Sequence, residues 1–439
     1  MTTHHIGRIV LSCLTAGLVA AAALVVVGPA AGAQEHVITG TVLVTFAASW
    51  ALLAALSIRW TAQPQRWALV PAGFMGLAGA GLFAFAPDGR AIDALGWVWP
   101  PLLLAVVAVA VVRVRVDLRS RTRRRVVYPL LGIYALCAVG GASQTIAESL
   151  DRRAYEAPGQ MVDVGGHRLH LYCVGSGTPT VILESGLGEA AAYWGWISTA
   201  VARNTRVCAY DRAGRGWSDP AAVAQDGVAV ATDLHILLDR ARISGPFVLV
   251  GHSSGALYVR IFAGRYPEQV AGMVLLDGQP PEAFESLPIF PVFYNGFRRV
   301  SGLLPSLARV GVGRVLYHAG FEGLPAKARD MERFTYSSAR AARSLRDEFV
   351  ELPTSLAQAR SFQNLGDRPL VVVTAERDAI AGWLPLQDNM ATLSTNSSHR
   401  VVPYTHDGLV TDQAAAESSI AAIRDVVHAV RFNVRPEKP

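Results

Sequence analysis

The stretch Pro246–Pro267, PFVLVGHSSGALYVRIFAGRYP, constrains the fold of this chain more than any other. Phe247–Val250 is a short apolar run of the kind that forms a fully buried strand. Gly251-His252-Ser253-Ser254-Gly255 follows, and Ala256–Tyr266 then reads as a helix ended by Pro267. A strand that turns directly into a helix through G-x-S-x-G leaves little room at the turn. Glycines at both flanks remove the Cβ atoms that would keep strand and helix apart. The serine between them is held in a strained conformation with its hydroxyl at the tip. The N–H groups of the following helix face any negative charge that forms there. Without its flanks, the five-residue pattern also fits an ordinary Gly/Ser turn.

Composition divides the chain. Hydrophobic residues are 51% of the total and charged residues 17%, too apolar for an ordinary soluble protein. The excess lies in the first third. Residues 9–27, 37–58, 67–86, 95–112 and 126–147 are five apolar stretches, each near the ~20 residues needed to cross a bilayer. They are rich in Gly, Ala and Val, which suit close helix contacts in lipid. Trp50, Trp60, Trp67, Trp97 and Trp99 mostly lie near segment ends, as interfacial anchors do. The expectation is a transmembrane helical domain over 1–147 and a polar linker over 148–160.

The net charge is +6, and the seven arginines and one aspartate of Arg113–Arg125 carry that much by themselves. The basic balance is therefore local and gives no support for nucleic-acid binding. Arg8, the Arg59/Arg66 pair and the seven-arginine run fall in alternate loops. This pattern predicts a cytoplasmic N-terminus and, after five crossings, an extracytoplasmic C-terminal region at the cell membrane. If the fifth stretch, with Pro129 and Gly140-Gly141, does not cross, that region is cytoplasmic. Ala31-Gly32-Ala33 resembles a signal-peptide cleavage site, whose use would leave the orientation unchanged. The arginine run also suits anionic lipid headgroups.

From Met161 onward, short strands alternate with helices, as in a mostly parallel sheet covered on both faces. Strands are expected at 161–164, 167–174, 180–184, 205–210, 247–250, 273–276, 370–374 and 400–403. Helices are expected at 228–241, 256–266 and 412–432. With the elbow at Ser253, this order resembles the α/β-hydrolase superfamily over nearly all of 161–432. Tyr210-Asp211-Arg212-Ala213-Gly214-Arg215-Gly216-Trp217-Ser218 is similar to that family's D-x-x-G-x-G-x-S turn after the fourth strand. The resemblance implies an α/β fold with an eight-stranded, mostly parallel sheet. It also implies a helical lid inserted at about 280–366.

The resemblance further implies acyl transfer from a serine, in the chain order serine, acid, histidine. Ser253 is the expected nucleophile and His406, after the last strand, the base. Asp378, in the turn after the seventh strand, is the expected orienting carboxylate, with Asp277 at the end of the sixth strand as its rival. The backbone N–H groups of Ser254 and Leu187 are the expected oxyanion donors, although Ser185-Gly186 stands where many relatives carry His-Gly. A serine rather than an aspartate nucleophile implies esters or related acyl substrates, small or lipid, in the manner of esterases and lipases. Acyl transfer to another acceptor, cofactor-free perhydrolysis, or a membrane-anchored binding module with a vestigial triad are the other readings. No C-x-x-C or Cys/His spacing suggests a metal, and the implied chemistry needs no cofactor. Cys173 and Cys208 fall on strands that this fold makes antiparallel neighbours, so the resemblance implies that they can pair.

Overall fold

The computed structural model describes residues 4–118 and 123–437. Arg119 and Arg121 of the basic run lie outside the described residues. By contacts the chain forms two compact units.

The first unit comprises the chain up to Ala154 together with Gly296–Val315 and Ser337–Arg343. Its N-terminal part contains α1 (His4–Val26), α2 (Glu35–Trp60), α3 (Leu69–Phe85), α4 (Gly89–Leu95), α5 (Trp99–Asp117) and α6 (Tyr128–Ala154). Five of these helices, all but the short α4, are long and apolar enough to cross a membrane. Leu18, Leu77, Phe85 and Leu136 face outward, while Trp50, Leu53, Trp67 and Val114 are packed inside. Apolar residues on both the inner and outer faces are what a lipid-facing helix requires. Two boundaries differ from expectation. Residues 89–95 form a separate helix, capped by Asp88, which accepts from Ala91 N, so the fourth long helix starts at Trp99. The expected linker begins as helix, because α6 continues through Glu148 and Arg152, an i,i+4 pair.

The second unit comprises Tyr155–Asn295, Leu316–Tyr336 and Ser344–Pro439. It contains one eight-stranded sheet. The strands are β1 (Gln160–Asp163), β2 (Arg168–Val174), β3 (Thr180–Glu184), β4 (Val207–Tyr210), β5 (Phe247–His252), β6 (Val270–Leu276), β7 (Leu370–Ala375) and β8 (Ser397–Val402). Their spatial order is β1-β2-β4-β3-β5-β6-β7-β8. β2 runs antiparallel to β1 and β4, and the other pairings are parallel. Cys173 and Cys208 are register partners across β2 and β4 and form a disulfide.

The central strands carry almost no polar side chains because both faces are covered. Val181, Val248, Val250, Val274, Val371 and Val373 are buried in one cluster with Trp194, Ile423 and Val427. Each such side chain contributes about 1.5–3 kcal/mol. The cluster includes α7 (Gly195–Val201) and the C-terminal helix Gln413–Phe432, whose Ile420, Ile423 and Val427 form its apolar face. α8 (Gly227–Arg240) packs on α9 (Gly255–Arg265).

The chain steps from β3 to β4 on one side and returns to β5 on the other. The strand order thus reverses between β3 and β5. Open α/β sheets place ligands at such a reversal, outside the carboxyl ends of the strands.

The expected insertion between β6 and β7 is helical, with α10 (Ala283–Ser286), α11 (Ile289–Ser301), α12 (Leu304–Arg309), α13 (Val312–Tyr317), α14 (Ala326–Tyr336) and α15 (Ala339–Ala359). It is not a single body. Gly296–Val315 and Ser337–Arg343 belong to the first unit. There Ser306 meets Thr39 at 2.9 Å, and Gln144 Nε2 donates to Ser337 O at 2.9 Å. Arg309 and Arg343 share the carboxylates of Glu35 and Asp93 in the same unit.

Candidate active site

The end of β5 has the geometry that its glycines require. Ser253 stands at φ +53°, a left-handed conformation uncommon outside glycine. Its own N–H donates to Leu276 O at 3.1 Å, and its carbonyl accepts from Gln279 N at 2.8 Å. A Cβ on Gly251 would lie 2.7 Å from Ala256 N, and one on Gly255 would lie 2.3 Å from Glu184 O. Both distances are closer than real Cβ contacts, so the close approach of strand, helix and β3 end depends on glycine at both places. α9 begins at Gly255 and points its N-terminus at the serine.

His406 lies beyond β8. Its Nδ1 is 2.6 Å from Asp277 Oδ2. Asp277 is 3% exposed, and its other oxygen accepts from Trp383 Nε1 at 2.8 Å and Ala375 N at 3.2 Å. Asp378 is the expected partner here, and the structure puts its rival, Asp277, there instead. Asp378 is exposed, and its carboxylate accepts the backbone N–H of His406 at 2.9 and 3.1 Å. The physical reason is strand order. β6 pairs directly with β5, with Leu276 opposite His252, so the residue after β6 emerges beside the elbow. Asp378 follows β7, one strand farther out, and three residues past the strand end. Asp277 itself stands at φ +43°, which turns the chain sharply out of β6.

With Nδ1–H directed at Asp277, the imidazole presents Nε2 as its free basic nitrogen. Among the described residues no hydrogen bond joins the Ser253 hydroxyl to His406. Such contacts are often long without substrate and close in the Michaelis complex.

The loop after β3, Ser185–Glu189, is pinned from below. Arg212 of the D-x-x-G-x-G-x-S turn is almost fully buried. Its Nη1 donates to Glu184 Oε1 at 2.8 Å and to Ser185 O at 2.6 Å, and its Nη2 donates to Gly186 O at 2.6 Å. Glu348 of α15 takes Arg212 Nε at 3.1 Å and Gly188 N at 2.8 Å. The Ser185 hydroxyl accepts Trp194 Nε1 at 2.9 Å. Among the described residues no acceptor takes the N–H of Leu187 or of Ser254, so both expected donors are available. Burial pushes the Glu348 carboxyl up, but Arg212 and Arg215 outweigh it and hold the group below the usual carboxylate range.

Asp211 of the same turn is fully buried and accepts from Ala191 N, Trp217 N and His170. A Cβ on Gly216 would lie 2.1 Å from its carboxylate. These contacts make it part of the frame of the turn.

His252 has a larger part than the sequence suggested. Its side chain is fully buried between Glu189 and the His406 loop. No local pattern announces this, because both contacts come from distant loops. Among the described residues no group of three His, Cys, Asp or Glu side chains is placed to hold a metal ion.

The alpha/beta hydrolase fold family matches residues 179–413, and the chain belongs to that family. An uncharacterized protein of Schizosaccharomyces pombe is 28% identical over 51% of this chain and 48% of its own length. The chain thus spans about half of that relative. Escherichia coli RutD, provisionally named a carbamate hydrolase, is 35% identical over 23% of this chain and 38% of its own. A Pseudomonas aeruginosa protein provisionally named an epoxide hydrolase has a solved structure that superposes with a TM-score of 0.50 at 19% identity. That match covers 61% of this chain and 96% of the other, and it shows the fold alone.

Proposed function

We propose that the protein is a membrane-anchored serine hydrolase that cleaves a carboxylic ester or related acyl bond. The observation that carries this reading is the strained elbow of Ser253 beside the His406–Asp277 pair, with two unoccupied backbone donors. In the first half-reaction His406 Nε2 takes the Ser253 proton as the oxygen attacks the acyl carbon. Asp277 holds the ring in the Nδ1–H tautomer and balances the imidazolium that forms. The Ser254 and Leu187 N–H groups bind the oxyanion. His406 then protonates the leaving group, and water releases the acyl-enzyme by the reverse sequence.

Five apolar helices support the anchor. The alternation of basic loops and the Cys173–Cys208 disulfide support an extracytoplasmic hydrolase domain. Residues 280–366 carry many arginines but are also rich in Phe, Leu and Pro, and these favour an apolar acyl substrate, small or lipid. The test is fluorophosphonate labelling of the full chain in detergent, with and without Ser253→Ala. Labelling of the wild type alone is expected, along with a loss of roughly three orders of magnitude or more in esterase turnover in the variant. Equal labelling of both would remove Ser253 from the mechanism.

A further inference from the structure

His252 precedes the elbow serine, and its ring makes two polar contacts. Nδ1 faces the Glu189 carboxylate at 2.9 and 3.2 Å. Nε2 faces the backbone carbonyl oxygen of His406 at 3.2 Å. A carboxylate and a carbonyl oxygen can only accept hydrogen bonds. Both ring nitrogens must therefore donate, which makes the ring an imidazolium. Burial disfavours that charge, but Glu189 more than compensates, with help from Asp407 and the His406 carbonyl, and the group is pushed up to about 9. The same pairing overcomes the burial of Glu189 and holds its carboxyl below the usual range.

Glu189 also shapes the oxyanion loop. Its Oε2 accepts Gly186 N at 2.6 Å, and its own N–H donates to Gly186 O at 3.2 Å. The turn that presents Leu187 is thereby closed on the carboxylate that His252 holds. On its other side the His252 ring lies 4.7 Å, centroid to centroid, from the His406 ring. One side chain thus joins the oxyanion loop, the elbow and the loop of the base.

We propose that His252 is a charged positioning residue, a standing imidazolium that fixes the oxyanion loop and the His406 loop to Ser253 and sets the field in which His406 accepts its proton. The proposal rests on the serine-hydrolase reading. The groups facing His252 are Glu189, Asp407 and His406. Those facing His406 are Asp277 at Nδ1, Asp378 at the backbone N–H, the His252 ring, and Glu189 beyond it. A cation beside a base makes protonation of that base harder. Removing it makes protonation easier, so the neutral base needed for attack is reached only at higher pH.

The test uses the full chain in detergent and reads the second-order rate of fluorophosphonate labelling from pH 5 to 9. Two variants keep hydrogen-bonding side chains while removing the charge. His252→Gln removes the cation and leaves Glu189 in place, and Glu189→Gln/His252→Gln replaces both. In each, the plateau rate is expected to fall about tenfold, and the acid limb to move up by about half a unit to one unit. A purely structural role would lower the rate and leave the limb in place. An unmoved limb in a folded variant, with wild-type labelling that depends on Ser253, overturns this proposal alone. Loss of Ser253 dependence in the wild type overturns the hydrolase reading and this proposal together.

Discussion

At the residue scale, the assignment of the acid decides the chemistry. Asp277 and Asp378 both contact His406, one at the ring and one at the backbone. In the proposed mechanism only the ring contact fixes the tautomer and meets the charge that forms on proton transfer. Asp277→Asn would leave an amide that cannot stabilise the imidazolium, and kcat is expected to fall roughly 10³–10⁴-fold. Asp378→Asn keeps an acceptor for the backbone N–H at an exposed site, and its kcat is expected to stay within about tenfold of wild type. Steady-state ester hydrolysis by the two variants side by side checks this. Equal losses would mean that the loop contact matters as much as the ring contact. Both acids were visible as strand-end residues, but their reach was not.

At the scale of elements, the loop after β3 and the helix α15 are held together by charge. Arg212 pairs with Glu184 and Glu348 where none of the three is exposed to solvent. Arg212→Met would leave the buried Glu184 without a cation and Glu348 with Arg215 alone, at a cost of about 3–5 kcal/mol. The expected result is a lower melting temperature together with a loss of labelling at Ser253, because Arg212 also holds the Ser185 and Gly186 carbonyls. Unchanged thermal unfolding would show that the carboxylates find other partners. The acid dependence has a definite sign. The Glu348 carboxyl is held below its ordinary value of 4.5, so its pairing contributes full stability above that pH. The contribution is lost as pH falls through the depressed folded-state value. A wild-type melting temperature that drops between pH 5 and 3 more steeply than that of Glu348→Gln is the expected observation.

At the scale of the whole molecule, the disulfide ties β2 to β4 across 35 residues of chain. Closing such a loop is worth about 2–4 kcal/mol. Cys173→Ser/Cys208→Ser is expected to lower the melting temperature of the full chain by several degrees, with Ser253 labelling retained at low temperature. A pair that melts like wild type would show that the sheet alone sets the stability. The features legible in the chain are those that neighbouring residues encode. Ser253 between two glycines, the alternation of strand and helix, and the runs of about 20 apolar residues are local patterns, and each is set by sterics or hydration within a few turns of chain. The partner of His406 Nδ1, the burial of His252 against Glu189 and the division of the insertion between two units were decided only by the tertiary structure. Each depends on which strand or helix lies next to which, across 129 residues in the case of Asp277 and His406, and the two acids can be told apart only once β6 is seen to lie against β5.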